Sequence, residues 1–474
     1  MSNEMIVVEF PANLKPVADV VLKLVERIAA AARRGVGGAG GSYERVEAEF
    51  GQAAAEIERA AHEVTLASLD VDEAAITVGD AIYTRFGRHE GTYYTRAGEV
   101  RVLRTVYRKS GIRNGELLDP VAFRVGAFGN GWLPKTAQEI SFLMQQGTER
   151  EAAQTAKELG KLPYSASTFK RVGHLFGIEY RKRRADIEDK LIARFEIPAD
   201  AASLSISIDR VSVPMEEERK RPPGRPRKDA PKRSVARQFR MAWCGTVTIH
   251  NPDGEGIETI RYGAMPGADP NLLCARMAVD AQKLLEKRDD LKVVILADGA
   301  HELWNLLESH FPESVFGRTS WLVDFWHVVE KLAAAATVIA GPDAGREAVS
   351  RWRSRLRHSV NANKDILAEL ESSGMEDTAV GDSRPVHEAI TYLTNHRERM
   401  NYARARGAGL PIGSGHVEAT CKSLFAIRLK RPGSRWHEET GENIVQLRAL
   451  ALSHRWELAM THFLGERGNA VRAA

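Results

Sequence analysis

The sequence predicts a multidomain α+β protein whose central part is an α/β region built on a mixed sheet. Three observations support this prediction. The 474 residues are enough for about three domains. Helical periodicity dominates residues 12–80 and 136–176, whereas strands and helices alternate from about residue 200. The composition, 43% hydrophobic and 27% charged, is ordinary for a globular protein with a sizeable core.

The charged residues are nearly balanced overall but unevenly distributed. The formal net charge is only +4, from 67 Lys and Arg against 63 Asp and Glu. Basic residues are concentrated in Arg219–Arg240 and Arg397–Arg435. Local basic clusters favour a polyanionic partner at specific places, with a solvated basic linker as the alternative.

Cysteine content and hydropathy exclude several protein classes. Three cysteines, Cys244, Cys274 and Cys421, are far apart and form no C-x-x-C pair. A disulfide scaffold and a cysteine-rich zinc site are therefore not expected. The chain has no apolar run of the roughly 18 residues that a membrane span needs, and residues 1–16 lack a basic n-region. We therefore expect a cytoplasmic protein with no membrane partner.

Residues 1–85 are predicted to form an N-terminal helical region. Two amphipathic helices flank the sequence "GVGGAGG", and they are expected to pack on one another or to dimerise. Residues 86–130 are predicted to contain a small β-hairpin element, because aromatic, Val and Thr residues alternate with charged residues around a glycine turn. Arg101, Arg104 and Arg108 either face a phosphate backbone or form a polar face of this hairpin.

Residues 131–198 are predicted to form a helical, helix-turn-helix-like DNA-binding region. A helix is followed by the break "GKLPYS" and by a second helix, for which Ser165–Ser167 are candidate N-caps. A DNA reader of this kind would place Thr168, Lys170 and Arg171 near the start of its recognition helix. Any helical hairpin has a similar pattern, so the alternative is a structural pair of helices.

Residues 199–331 are predicted to form the first part of an α/β core. The order β-β-β-α-β-α-β-α predicts three antiparallel strands extended by parallel ones, with helices on both faces. A basic loop, residues 216–237, separates the first two strands. Residues 332–408 are predicted to be a helical insertion interrupted at Gly341 and Pro342, and residues 409–474 to be the C-terminal helices of the core.

Three acidic residues stand out in this region. Asp209 lies at the centre of an apolar strand, and Asp298 ends another, "VVILAD". Burying a carboxylate is costly unless it is hydrogen-bonded, paired or bound to a metal. If the two strands are neighbours, their carboxylates repel each other unless a cation lies between them. Glu418, one helical turn after the glycines of "GSGHVE", is the third candidate.

These acids predict a site for two Mg²⁺ or Mn²⁺ ions, because both ions prefer hard oxygen ligands. Two such ions support phosphodiester chemistry. The alternatives are that Asp298 only caps a helix and that Glu418 is a surface residue. Asp324 and His327, three residues apart at a strand-to-helix junction, lie on one helix face and are expected to support the site rather than to react.

Basic residues next to these acids are candidate DNA contacts. "PGRPRK" is similar to an AT-hook core, in which arginines lie in a narrow A·T-rich minor groove. The alternative is a loop that holds DNA without sequence preference. The complete set of predicted DNA-binding residues is Lys170, Arg171, Arg221, Arg225, Arg227, Lys228, Lys422, Arg428, Lys430 and Arg431.

Four motifs, in this order, resemble the bacterial insertion-sequence transposases of the DDE type. They are "SISIDR", "ILADGAHELW", "LVDFWHVVEKL" and "LPIGSGHVEATCKSLFAIRLKRPGSRW". The resemblance is to the Kra group, related to mutator-like transposases, and covers roughly residues 90–455. It implies a ribonuclease H-like core with an α-helical insertion, in which Asp209, Asp298 and Glu418 are the catalytic acids. Asp324 and His327 match the D-x-x-H motif of the family.

The resemblance also implies a function and partners. Such a protein binds the terminal inverted repeats of double-stranded DNA and carries out metal-dependent strand cleavage and strand transfer, as a homodimer or larger synaptic assembly associated with the bacterial nucleoid. Residues 90–120 lack the cysteines found in many members, so no zinc module is expected. The alternatives are a metal-dependent nuclease or junction resolvase without strand transfer, and a non-catalytic DNA-binding regulator derived from a transposase.

Overall fold

The chain divides into two compact units. The computed structural model describes residues 7–34, 43–216 and 237–473. The first unit comprises Met1–Arg184 with Glu457–Ala474, and the second comprises Ala185–Trp456. Within the described ranges, no helix is both long and apolar enough to cross a membrane. The predicted DNA contacts Arg221, Arg225, Arg227 and Lys228 lie outside the described residues.

The described part of the first unit begins with two long helices and a sheet. Its helices up to residue 184 are α1 (Lys15–Arg34), α2 (Tyr43–Ser68), α3 (Pro120–Arg124), α4 (Pro134–Gln146), α5 (Glu149–Glu158) and α6 (Ala166–Ala193), the last of which continues into the second unit. Its strands over the same range are β1 (Ala75–Val78), β2 (Ala81–Thr95), β3 (Gly98–Lys109) and β4 (Leu117–Leu118). The two amphipathic helices and the hairpin, β2 with β3, are as predicted.

Two arginines of the hairpin are engaged within the protein. Arg104 Nε donates to Asp119 Oδ2 at 2.8 Å, and its side chain is only 16% exposed. The guanidinium of Arg108 lies 4.3 Å from the centroid of the Phe86 ring. Arg101 is exposed and lies 3.7 Å from Glu90. These contacts favour a polar face of the hairpin over a surface that binds phosphates.

The region predicted to resemble a helix-turn-helix contains α4, α5 and α6. Ser165 Oγ accepts a hydrogen bond from Thr168 N at 3.3 Å, as expected for a residue that caps α6. Phe169, Val172 and Phe176 are buried at helical spacing, so one face of α6 packs into the unit. Lys170 and Arg171 are exposed near the beginning of this helix.

The second unit is built on a mixed sheet of the predicted kind. Its strands are β5 (Ser203–Glu216), β6 (Arg237–His250), β7 (Gly256–Ala264), β8 (Lys292–Ala297) and β9 (Thr319–Val323). They lie in the order β7-β6-β5-β8-β9, with antiparallel pairing from β7 to β5 and parallel pairing from β5 to β9. Residues 293–297 of β8 are all buried, as expected for a parallel strand with both faces covered.

Helices cover this sheet and extend beyond it. The helices of the second unit that precede residue 415 are α7 (Pro270–Lys287), α8 (His301–His310), α9 (Glu313–Phe316), α10 (Phe325–His358), α11 (Ala362–Ser372), α12 (Pro385–Asn395) and α13 (Tyr402–Gly407). α10 bends at Gly341, whose φ of +76° suits glycine, and Pro342 follows. Residues 332–408 are therefore mainly helical, with a break at Gly341 as predicted.

The segment around Glu418 contains an irregular helical turn. The remaining helices are α14 (Gly415–Thr420), α15 (Ile427–Leu429), α16 (Glu438–Leu452) and α17 (Trp456–Gly465), and a π-helical turn, Cys421–Ala426, joins α14 to α15. Single π turns are frequent at functional sites. The short strand β10 (Arg472–Ala473) returns to the sheet of the first unit, whose order is β10-β1-β2-β3-β4.

Candidate active site

Three aspartates lie at matching positions on adjacent strands of the second sheet. Asp209 and Asp298 each lie two residues beyond the last pair of the parallel β5–β8 ladder. Asp298 and Asp324 each lie one residue beyond the last pair of the β8–β9 ladder. The amide of Asp324 donates to the carbonyl of Ala297 at 2.9 Å, which continues that ladder. The sheet therefore brings three carboxyl groups to one edge, which is where open α/β sheets place ligands.

Asp209 experiences both burial and a neighbouring negative charge. Burial raises the pKa of its carboxyl above the ordinary value, and the charge of Asp298 raises it further, outweighing the hydrogen bond that Oδ1 accepts from Arg210 N at 2.6 Å. The guanidinium of Arg210 pairs with Glu302 instead. The two aspartates therefore repel one another beside an arginine that is already paired.

Asp298 has the features of both interpretations proposed from its sequence. Its Oδ1 accepts a hydrogen bond from Ala300 N at 2.9 Å, and Ala300 is the N-cap of α8. Asp298 is therefore a turn-forming residue in front of a helix. It also stands next to Asp209 and Asp324 across the sheet, so the turn directs this carboxylate towards the shared edge.

Asp324 is fully buried and holds two other parts of the site. Its Oδ1 accepts hydrogen bonds from His327 N at 2.9 Å and from His327 Nδ1 at 3.1 Å, and its Oδ2 accepts one from Ser414 N. Burial alone would raise the pKa of Asp324, but the hydrogen bonds from His327 and Ser414 hold that pKa below its ordinary value. The hydrogen bond to Asp324 in turn raises the pKa of His327 to about 9.

Glu418 reaches the site from α14, in the first turn of the helix as predicted. Ser414, which Asp324 binds, is the N-cap of this helix. One ligand atom each of Asp324, His327 and Glu418 lie within 4.8 Å of one another. This cluster could hold a metal ion, since carboxylate oxygens and imidazole nitrogens are common metal ligands.

The cluster that meets this distance condition differs from the predicted metal ligands. The predicted ligands are Asp209, Asp298 and Glu418, with Asp324 and His327 in a supporting role. The cluster contains Glu418 but has Asp324 and His327 in place of the two other aspartates. Both oxygens of Asp324 already accept hydrogen bonds from the protein. Hydrogen bonds of this kind are typical of a side chain that positions its neighbours, which is the role predicted for Asp324.

Three residues that sequence reasoning missed also surround the aspartates. A Cβ atom on Gly299 would lie 2.5 Å from Tyr392 Cε2 and 2.9 Å from His396 Nε2, so α12 and the residue after it approach the turn that holds Asp298. Cys421, in the π turn, lies with its Sγ 3.6 Å from Asp209 Oδ2. The local sequence around Tyr392 gives no signal of this proximity, because about 90 residues separate it from Asp298.

The predicted DNA contacts in the described residues have different surroundings. Lys170, Arg171, Lys422 and Lys430 are exposed, and Arg431 is half-buried. Arg428 is only 3% exposed and its guanidinium lies 5.0 Å from the centroid of the Trp436 ring. A side chain buried in this way packs α15 against the segment that follows it, so Arg428 is not retained among the proposed DNA contacts.

The chain was compared with protein families, curated proteins and solved structures. No family model matches the sequence, and no curated protein matches it. Among solved structures, the chain is similar to one described as a Mos1 transposase paired-end complex with left transposon end. That likeness covers 57% of this chain and 78% of the Mos1 chain, at 13% identity and a TM-score of 0.14. A TM-score this low carries no argument about fold or function.

Proposed function

We propose that the chain is a DDE-type transposase with a ribonuclease H-like core, which binds the terminal inverted repeats of an insertion sequence, cuts DNA and transfers the cut strand. One observation carries the proposal: strand register aligns Asp209, within β5, with Asp298 and Asp324, just beyond β8 and β9, and Asp324 forms one cluster with His327 and Glu418. The four motifs that resemble Kra-group transposases support it as well, since they contain these same residues.

The donor groups of the site fit divalent metal ions. Asp209 and Asp298 repel one another, and the nearby Arg210 is paired with Glu302, so a cation would relieve the repulsion. Asp209, Asp298 and Glu418 would hold two Mg²⁺ or Mn²⁺ ions, which prefer such oxygen ligands. Ions held there would supply activation of an attacking oxygen and stabilisation of the leaving oxygen in phosphodiester chemistry.

The remaining residues of the site position these ligands. Asp324 binds Ser414 and His327, so it fixes both the beginning of the helix that carries Glu418 and the orientation of the imidazole. The turn formed by Asp298 and Ala300 fixes the second aspartate. Preorganised ligands of this kind lower the cost of arranging the reacting groups at the moment of reaction.

DNA would reach the site over its basic surroundings. Lys422, Lys430 and Arg431 follow Glu418 in the chain, and the basic segment of residues 217–236 follows the strand of Asp209. Lys170 and Arg171 of the first unit are proposed to contact the terminal repeats. Because a transposase must bring two DNA ends together, we expect a homodimer or a larger assembly on DNA.

The test of this proposal is a joining assay. Labelled element ends, taken from the DNA that flanks the gene, are incubated with the full chain, Mg²⁺ and a supercoiled plasmid. We expect joined products with the wild type, and a loss of at least about a hundredfold for Asp209→Asn, Asp298→Asn and Glu418→Gln, because each removes a charged ligand. Chelation of the metal should abolish joining, and Asp253→Asn, in an exposed turn, should leave it unchanged.

Each other outcome of the assay has a definite meaning. Cleavage without joined products would support a metal-dependent nuclease or junction resolvase. Binding without cleavage would support a DNA-binding regulator derived from a transposase. Full joining activity in Asp298→Asn would show that the site assignment is wrong.

A further inference from the structure

An exposed tryptophan lies at the rim of the candidate active site. Trp326 is 46% exposed, although it stands between the buried Phe325 and the site residue His327 at the beginning of α10. A Cβ atom on Gly413 would lie 3.3 Å from Trp326 Cδ1 and 3.5 Å from Asp324 Oδ2. The indole and the carboxylate of Asp324 therefore border the same small glycine. Burying an indole is favourable, so this exposure needs a reason.

Arginines surround this tryptophan. The guanidinium carbons of Arg353 and Arg357, on the second half of α10, lie 5.0 and 5.7 Å from the centroid of the Trp326 ring. Arg406, on α13, lies beside Arg357, since its Nη1 is 3.3 Å from Nε2 of the next residue, His358. Burial lowers the pKa of the Arg357 guanidinium, and the charges of Arg353 and Arg406 lower it further. Two guanidiniums therefore lie near the Trp326 ring and a third positive charge lies next to one of them; we call this group the Trp326 cluster (Trp326, Arg353, Arg357 and Arg406).

The arginines of the Trp326 cluster have no acidic partner. Within the ranges that the structure describes, none of the three pairs with a carboxylate, and Arg353 Nε is buried without a hydrogen-bond acceptor. On the same stretch of α10, Arg351 and Arg355 both pair with Glu369. The arginines on one face of the helix thus share a carboxylate partner, whereas the arginines beside Trp326 have none within the same described ranges. Grouped unpaired cations favour a polyanionic ligand.

From these contacts we propose that the Trp326 cluster binds an unpaired nucleotide of the DNA substrate beside the scissile bond, with the base stacked on the indole and the flanking phosphates held by the arginines. The inference rests on the proposed function, because it takes DNA as the substrate. A duplex would need only the arginines, since its bases are already stacked; an exposed indole adds affinity where a base is free to stack. The guanidiniums over the ring also attract the phosphates on either side of that base.

Anisotropy of labelled DNA tests the proposal without any cleavage. The full chain is titrated, in buffer with a chelator, into two fluorescein-labelled DNAs, a blunt duplex and the same duplex with a single-stranded flap. Stacking on an aromatic residue predicts that Trp326→Ala loses on the order of tenfold in affinity for the flap, and less than about twofold for the blunt duplex. Trp326→Phe should retain most of the affinity for the flap.

The arginines have a separate signature in the same titration. Arg353→Ala and Arg357→Ala should weaken binding to the flap and reduce the slope of its salt dependence, by about 0.7 for each single-strand phosphate that the variant no longer binds. Arg351→Ala, which removes an arginine paired with Glu369, is the matched control and should leave affinity and slope unchanged. Thermal unfolding of each variant checks that the fold is intact.

A fluorescent base reports the stacking directly. 2-Aminopurine in the flap should lose fluorescence on binding the wild type and keep it on binding Trp326→Ala. Equal binding of the flap by Trp326→Ala and the wild type would overturn the proposal, as would loss of blunt-duplex binding in equal measure. Because no cleavage is measured, the proposal fails or stands separately from the joining assay.

Discussion

Asp324 links three parts of the second unit through a single buried carboxylate. It continues the β8–β9 ladder with its own amide, caps α10 through His327 and holds Ser414 at the beginning of α14. A buried carboxylate that accepts several hydrogen bonds is stable as an ion, whereas a residue that leaves those donors unsatisfied is costly. The consequences of altering this residue should therefore be structural first and functional second.

Asp324→Asn is expected to lower the free energy of unfolding by about 1–3 kcal/mol. The new amide group donates, so it would face either the donors of His327 or the amide of Ser414 without an acceptor between them. Denaturant unfolding measures the loss. Metal affinity, followed by calorimetry, should fall less in this variant than in Asp298→Asn. A loss of metal affinity as large as that of Asp298→Asn would instead make Asp324 a direct ligand.

His250 predicts a dependence of stability on pH. Its Nδ1 donates to the Gly254 carbonyl at 3.2 Å and its Nε2 accepts from Ser205 Oγ at 2.7 Å, so the neutral ring is fully bonded. Burial, and then the charge of His416, lower its pKa from 6.5 to about 4. The pKa of His250 is therefore lower in the folded state than in the unfolded state. The stability that the neutral ring contributes is complete above pH 6.5 and is lost as the pH falls towards 4.

Denaturant unfolding between pH 7 and pH 4 measures this contribution. The wild type should lose up to about 3 kcal/mol more than His250→Gln over that interval, because the pKa shift corresponds to that much free energy. His454→Asn, which changes an exposed histidine, is the control. Its free energy of unfolding should vary with pH as that of the wild type does. Parallel profiles for the wild type and His250→Gln would contradict the prediction.

At the scale of elements, the second sheet depends on how distant segments dock on it. α12 is about 90 residues away from β8 in the chain, yet Tyr392 touches the turn after β8. Gly299 makes this approach possible, since any side chain there would collide with the ring. The absence of a side chain at Gly299 thus leaves room for the helical insertion.

Gly299→Ala is expected to destabilise the protein by about 1–3 kcal/mol, because its Cβ would come within 2.5 Å of the Tyr392 ring. Chemical unfolding measures the cost, with Gly407→Ala as the control, since nothing lies within 4 Å of a Cβ at that position. Combining Gly299→Ala with Tyr392→Ala should recover part of the loss, as coupled neighbours do. Strict additivity of the two changes would argue against this contact.

At the scale of the whole molecule, the proposed function makes the basic segments the candidate determinants of DNA preference. The segment that contains "PGRPRK" is similar to an AT-hook core, so its arginines are expected to favour a narrow minor groove. A contact of that kind contributes preference for A·T-rich DNA, whereas contacts to phosphates contribute affinity without preference.

Replacing Arg225 and Arg227 together by Ala should therefore lower affinity for an A·T-rich duplex more than for a G·C-rich duplex of equal length. Anisotropy of the two labelled duplexes, at one stated salt concentration, measures the ratio. The charge-matched control replaces Arg45 and Arg346, which are 60% and 77% exposed and lie outside the basic clusters. Equal losses for the two duplexes would favour the alternative, a loop that holds DNA without sequence preference.

Periodicity was sufficient to predict much of the second unit. The alternation of apolar residues in "SLSISI" and the buried run "VVILA" specify a mixed sheet flanked by helices, and both are strands of that sheet. The break at Gly341 was also readable, because glycine changes the backbone locally. Such features depend on neighbours in the chain, which the sequence lists directly.

From the sequence alone, Asp209, Asp298 and Glu418 could be predicted as metal ligands, with Asp324 and His327 in support. The arrangement of these residues depends on tertiary contacts. Strand register places the three aspartates in one row, and the hydrogen bond between Asp324 and Ser414 fixes the helix of Glu418. The docking of Tyr392 and the arginines around Trp326 also came from the structure alone. Contacts of this kind join segments that are far apart in the chain. They depend on how particular side chains dock, and such docking leaves no period or spacing in the sequence.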